Sequence, residues 1–343
     1  MTTTGLLQHY LDAWASDDAD RQIIAALIDE IAAAGARLSN LIVTRGLETG
    51  TGGDALPAAD GQVQQSTATL AHQLFASALS ASPVSLLVSA QNNEAQVIDA
   101  QARYAVAIDP LDGAANLETN QSTGSIFSII EQGAGEIVGT HPGKHQRAAG
   151  FLYYGPQTRL ILSCGDGTHQ FLLDPASAQF HRIGQPLLIP EGQYEFAINT
   201  ANYRYWDSNL RHFIDDCVAG EEGALGENFN MRWSGALVAE AFRILLRGGV
   251  FLYPGDARPN YQNGHLRLLY HALPLALIVE QAGGAASDGD EPILAMRLSA
   301  LHARVPLIFG CRQRVAEVIE YISGTALDSG RYPLFLNRGL LRN

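Results

Sequence analysis

Apolar residues recur every third or fourth position through "RQIIAALIDEIAAAGARLSNLIVTRG" (residues 21–46), which predicts a helix stopping near Gly46. The same period returns in "GQVQQSTATLAHQLFASALS" (61–80), after a Gly-, Ala- and Asp-rich run, "LETGTGGDALPAADG", that reads as a mobile loop. Then the pattern changes. "VSLLVS", "RYAVAID", "GSIFSIIE", "AAGFLYYG" and "RLILSCG" are short apolar runs bounded by polar or turn residues, and they predict buried strands. A stretch of alternating character follows, to about Pro190. Beyond "YEFAINTANYRYW" come a helical "SGALVAEAFRILLRGG", a strand "VFLYPG", a polar loop, a helix "LRLLYHALPLALIVEQAGG" and a strand "RVPLIFG". Mixed helices and strands without an internal repeat predict an α/β protein, and 343 residues suit two domains, 1–190 and 191–343.

Composition narrows the class. Apolar residues make up 47%, ample for a sizeable core, while 22 Lys and Arg stand against 35 Asp and Glu, a formal charge of −13. That balance excludes a nucleic-acid partner and means that an anionic substrate is held by a few local basic groups. Cys164, Cys217 and Cys311 are widely spaced, which fits buried thiols in a reducing compartment. The N-terminus lacks the basic start and apolar run of a signal peptide, and no stretch reaches the ~18 apolar residues of a membrane span. The expectation is a soluble cytoplasmic protein with no membrane partner.

The candidate chemistry lies in "AIDPLDGAAN" (107–116). Pro110 biases Asp109 toward the extended region, so a strand should run up to that carboxylate and turn there. Gly113 suits a left-handed position, and the turn brings Asp109 and Asp112 to one side. Two hard oxygen donors suit Mg2+ or Mn2+, and Gly113, Ala114 and Ala115 lack the bulk to keep a phosphate from their N–H groups. The spacing alone also suits a plain turn, because Asp-Pro and Asp-Gly are common turn formers.

Longer motifs add a resemblance. "DPLDGAANLETNQSTGSIFSI" resembles the signature loop of class 1 fructose-1,6-bisphosphatases, which usually reads Asp-Pro-Leu-Asp-Gly-Ser-Ser-Asn followed by Gly-Thr-Ile-Phe. This family belongs to the metal-dependent sugar and inositol phosphate phosphatases. "MRWSGALVAEAFRILLRGGVFLYP" and "GHLRLLYHALPLALIVEQAGGAAS" resemble its sugar-phosphate segments in the same order, and the resemblance runs from about residue 20 to the C-terminus. It implies layered sheets and helices, a homotetramer, and metal-dependent hydrolysis of fructose 1,6-bisphosphate to fructose 6-phosphate and phosphate. By the same resemblance Asp109 and Asp112 bind metal, and Asp112, Gly113, Ala114, Ala115 and Asn116 contact substrate. Asn199, Tyr253 and His265 match groups that hold the distal phosphate, joined by Arg232 from a neighbouring subunit, while Gly235 lets the backbone approach the sugar.

Departures from the family pattern are concentrated on the acids. Ala90 and Gln91 stand for two glutamates, about Gln73 for an aspartate, His271 for a glutamate, Ala114 and Ala115 for two serines, Trp233 for a tyrosine and His265 for a lysine. Glu94 is then the nearest acid for catalysis. His271 is either a ligand, better suited to Mn2+ or Zn2+ than to Mg2+, or a residue packed beside an empty site. Two readings follow: a phosphatase with slow turnover or altered metal dependence, or a weak or silent paralogue that binds phosphosugars or acts as a regulatory subunit. Arg103 and Tyr104 match a pair that helps hold AMP in the family, which makes AMP a candidate regulator.

Overall fold

The computed structural model describes residues 5–44, 62–133 and 135–325. Three helices open the chain: α1 (Leu7–Ala15), α2 (Ala19–Thr44) and α3 (Gln62–Leu79). The last two are the predicted helices; α1 was not read from the sequence, and Gly46 and the predicted loop lie outside the described residues. Strands β1 (Val84–Ser89), β2 (Gln96–Val97), β3 (Tyr104–Asp112) and β4 (Thr123–Glu131) follow. After a short α4 (Pro142–His145) come β5 (Gln146–Tyr154), β6 (Thr158–Ser163), β7 (Thr168–Asp174) and β8 (Gln179–Leu187). They form one eight-stranded sheet in the order β2-β1-β3-β4-β5-β6-β7-β8, with β1 and β3 parallel.

The central strands are continuous apolar runs because both faces of the sheet are covered. Along β3, Val106 and Ile108 pack with α1, α2 and α3, while Ala105 and Ala107 face the opposite core. That second core lies between the large sheet and a smaller one, and it draws on both halves of the chain.

The second half supplies β9 (Glu195–Ala197), α5 (Ser208–Ala219), β10 (Asn230–Met231), α6 (Leu237–Arg247), β11 (Val250–Tyr253), β12 (Leu266–Arg267) and α7 (Leu273–Gln281). Then come β13 (Ala285–Ser287), β14 (Arg304–Val305), β15 (Leu307–Gly310) and α8 (Arg312–Ile322). The smaller sheet runs β10-β9-β11-β15-β13, and β12 pairs separately with β14. Helices α6 and α7 fill the space between the sheets, and α5 and α8 cover the outer face of the smaller one. The result is alternating layers of helices and sheets, the expected class of fold.

Two proline effects alter the predicted elements. The expected helix from Leu266 begins instead as β12 and a wide π turn, Leu268–Ala272, before α7. Pro274 has no N–H to return to Tyr270, and its ring needs room in the preceding turn, which the wider turn gives. Likewise Pro306 splits the expected strand "RVPLIFG" into β14 and β15, which serve different sheets.

Candidate active site

The strand through Asp109 does not stop at Pro110. Asp109 pairs with Ile126 and Asp112 with Gly124, so three steps on β3 oppose two on β4 and the strand bulges between the acids. Pro110 fits there because a bulge does not need its missing N–H. Its carbonyl accepts the Ser125 hydroxyl at 2.7 Å, and Ser125 in turn meets the Tyr154 hydroxyl at 2.9 Å. The turn expected at Pro110 falls instead at Gly113, whose φ is +70°. A Cβ there would lie 2.7 Å from the Cβ of Ala236, so the loop and the start of α6 approach closely only because this residue is glycine.

Each carboxylate is held by a different element. Asp109 is buried, accepts the Leu111 N–H at 3.2 Å through Oδ1, and meets Nε2 of His271 at 2.8 Å through Oδ2. His271 is placed by the π turn, where its Nδ1 accepts the backbone N–H of Arg267 at 3.0 Å. That acceptor role fixes the tautomer: Nε2 carries the proton and donates it to Asp109. Neither ring nitrogen then has a lone pair free for a cation, so in this arrangement His271 orients Asp109. Asp112 accepts the Val238 N–H at 3.0 Å, at the N-terminal turn of α6. Burial, and then the nearby charge of Asp109, push its carboxyl up to about 6 despite that hydrogen bond.

These acids line one end of a cavity of about 470 Å³, a size suited to a small ligand. Trp233, Phe251 and Tyr253 form its aromatic wall, and Trp233 stacks on Phe251 with ring centroids 6.1 Å apart. His265, Arg267 and Arg304 line it too. Arg267 extends to the acidic end, where it donates to the carbonyl of Ala90 at 2.6 Å. Neither arginine was singled out from the sequence.

Of the residues singled out, Asp109, Asp112, Gly113, Gly235, Tyr253, His265 and His271 line this cavity, as do Ala90, Gln91 and Trp233. Ala114, Ala115, Asn116, Asn199, Arg232 and Glu94 do not. Asn116 instead braces the loop, donating to the carbonyls of Ser122 at 3.0 Å and Ser234 at 3.1 Å. Asn199 caps the short helical turn Thr200–Tyr205 by accepting the Ala201 N–H at 3.2 Å. Arg232 is exposed, 3.7 Å from Glu195. Glu94 and Gln73 are both exposed, so the turn after β1 directs Glu94 to solvent and not toward the acids. The further acid in the cavity wall is Glu240, which is buried and already bonded to the Ser234 N–H and to Arg243. Near the first helices, Arg103 is held by Asp20 at 2.5 Å and by Glu131 at 2.9 Å.

Among the described residues no group of three or more His, Cys, Asp or Glu side chains converges to hold a metal ion. Two carboxylates nevertheless fit one divalent cation, because Mg2+ commonly takes one or two protein carboxylates and completes its shell with water and substrate phosphate. The Asp112 carboxyl is raised by burial and then by the charge of Asp109, and a cation between the two would offset both effects. The donor set fits one such ion; a cluster would need more acids.

The buried Asp109 and half-buried Asp112, with guanidinium groups lining the same cavity, define a site for a cation and an anionic ligand together. Residues 8–185 match the N-terminal domain, and residues 189–323 the C-terminal domain, of the family described as Fructose-1-6-bisphosphatase. The chain is 44% identical over 338 residues to the class 1 fructose-1,6-bisphosphatase of Rhodopseudomonas palustris strain HaA2, covering 98% of each chain. It is 46% identical over 340 residues to one from Nitrobacter hamburgensis, again covering 98% of each. The solved structure of Leishmania major fructose-1,6-bisphosphatase in its holo form superposes with a TM-score of 0.82 at 29% identity, covering 94% of this chain and 99% of that one. The chain belongs to the fructose-1,6-bisphosphatase family.

Proposed function

We propose that this chain hydrolyses the 1-phosphate of fructose 1,6-bisphosphate, with water attacking phosphorus and the bond to the C1 oxygen breaking, to give fructose 6-phosphate and phosphate. The observation that carries the reading is the pair Asp109 and Asp112 at one end of a cavity that is also lined by Arg267 and Arg304. Asp109 and Asp112 would hold one divalent cation, Mg2+ or Mn2+. When bound, that ion supplies positive charge to the phosphoryl oxygens and the leaving oxygen. His271 keeps Asp109 in place, so ligation of Zn2+ or Mn2+ through Nε2 would require that nitrogen to lose its proton and its bond to Asp109. Arg267 adds a fixed positive charge beside Ala90, where the resembling enzymes carry an acid. Gly113, which lines the cavity, would offer its backbone N–H to the reacting phosphate where side-chain hydroxyls are missing.

Tyr253 and His265 also line the cavity and in this reading take the sugar and its second phosphate. Arg232, exposed and outside its own chain's cavity, would serve a neighbour's in a homotetramer by leaving Glu195, 3.7 Å away, while Asn199 caps the turn Thr200–Tyr205. The reading places the enzyme in the cytoplasm. AMP would have to displace Asp20 and Glu131 to reach Arg103, which argues for weak regulation at that place. The test is a titration of Mg2+ and then Mn2+ against fructose 1,6-bisphosphate, following both phosphate and fructose 6-phosphate. Equimolar formation of the two supports the reading. Phosphate without fructose 6-phosphate, or neither product, overturns it.

A further inference from the structure

No lysine lines the chain's own cavity to meet the distal phosphate dianion, and the Arg232 that the resemblance implies there comes from a neighbouring subunit. His265 stands where the resemblance implies a lysine, with its ring stacked between Tyr253 at 5.8 Å and Tyr261 at 5.7 Å. Burial, and then the Arg304 guanidinium, lower its pKa, so near neutral pH the imidazole is uncharged. A neutral imidazole gives a phosphate one hydrogen bond at most and no charge.

The two-stranded pairing of β12 with β14 sets Arg267 directly opposite Arg304. Like charges directly opposite in an antiparallel pair destabilise it, so this placement costs the fold something. Both arginines line the cavity, and the hydrogen bonds of each go to a backbone carbonyl: Arg267 to Ala90 at 2.6 Å, Arg304 to Asn260 at 3.0 Å. Among the described residues neither has a carboxylate within ion-pair distance. Elsewhere the arginines around the site are neutralised: Glu195 serves Arg232, Arg243 and Arg247, and Asp256 holds Arg258. Two facing cations left without counter-ions at the wall of a cavity are completed by an anion that enters it.

Arg267 is committed to the acidic end by its bond to Ala90. Arg304 is not. It is exposed, and among the described residues its one side-chain bond, to Asn260, leaves the other N–H groups of its fork unused. We infer that Arg304 is the cation of the chain's own cavity that binds the distal phosphate of the substrate, the part that a lysine at His265 would otherwise play. This rests on the phosphosugar reading above and adds a residue to it. Within one chain the charge that recognises the distal phosphate is then that of Arg304, and His265 contributes a flat stacked surface and one hydrogen bond.

The experiment compares fructose 6-phosphate, which carries the distal phosphate alone, with fructose, by calorimetric titration without divalent cation. Three forms of the full chain are used: unaltered, Arg304→Gln and Arg304→Lys. The unaltered protein is expected to prefer fructose 6-phosphate over fructose. Arg304→Gln should weaken fructose 6-phosphate binding roughly ten- to a hundredfold, the range for hydrogen bonds to a charged group. Arg304→Lys, which keeps the charge without the fork, should stay within roughly fivefold of the unaltered protein. Removing one of two facing like charges leaves the ligand-free glutamine variant melting at or above the unaltered protein, which separates lost binding from lost folding. Undiminished binding by Arg304→Gln would overturn the inference, and so would a lysine variant as weak as the glutamine one. An unaltered protein that does not distinguish fructose 6-phosphate from fructose would overturn the phosphosugar reading together with it.

Discussion

Asp112 is held in a state that costs the folded protein free energy at neutral pH. Its carboxyl titrates at about 6 where an unfolded aspartate titrates near 3.8, chiefly because it is buried and secondly because Asp109 is close. A difference of about two units corresponds to about 3 kcal/mol. Because the folded pKa is raised, the folded state binds the proton more tightly. Stability from this group is therefore greatest below about pH 4, falls as the pH rises toward 6, and stays low above it. Asp112→Asn keeps an oxygen to accept the Val238 N–H and removes the ionisation. The cation-free variant should therefore be more stable than the unaltered protein by about 3 kcal/mol at pH 8, and by about half that at pH 5. For 343 residues the unfolding entropy is roughly 0.7 kcal/mol/K, so the gain in Tm at pH 8 is about 4 °C. Scanning calorimetry in EDTA at both pH values measures this, and any pH-independent effect of the substitution cancels between them. Adding Mg2+ should raise Tm for the unaltered protein and leave Asp112→Asn nearly unmoved. A Tm difference that is the same at pH 5 and pH 8 would refute the electrostatic account of this site.

Other substitutions test the supports of the acid loop. Gly113→Ala must place a Cβ 2.7 Å from that of Ala236 on a left-handed backbone, so it should cost about 2 kcal/mol in urea unfolding and reduce phosphate release at least roughly tenfold. Ser125→Ala leaves the Pro110 carbonyl without its hydroxyl partner and should cost about 1–3 kcal/mol in the same assay. His271→Glu puts a third carboxylate beside Asp109; the Tm in EDTA should fall, while the Mg2+ concentration for half-maximal phosphate release should drop several-fold. AMP at millimolar concentration should lower the rate only slightly, because Arg103 is already paired with Asp20 and Glu131.

Local pattern carried the fold a long way. The apolar period in residues 21–46 and the buried runs from Val84 to Ser163 needed no partner to be recognised, because a strand covered on both faces is apolar throughout. Prolines were harder to read. Pro110 looks like a turn in one dimension, yet the neighbouring strand turns it into a bulge, and the hydroxyl that makes this possible lies on Ser125. The acids were legible because they sit together in one loop. Arg267 and Arg304 were not, since 37 positions separate them and only the β12–β14 pairing sets them face to face. Glu94 shows the opposite case: it is near the missing acids along the chain, and the turn after β1 leaves it in solvent. His271 was visible as a change of residue type, but its role depends on the Arg267 backbone N–H that fixes its tautomer.

The most direct measurement is phosphate release from fructose 1,6-bisphosphate by the purified chain, with Mg2+ and with Mn2+, beside an Asp109→Ala variant prepared in parallel. The account predicts turnover by the unaltered protein and none by the variant, since Asp109 is the buried carboxylate that His271 holds at the acidic end of the cavity. Folded protein that binds the sugar bisphosphate yet releases no phosphate with either metal would contradict it, as would a variant that turns over as fast as the unaltered chain.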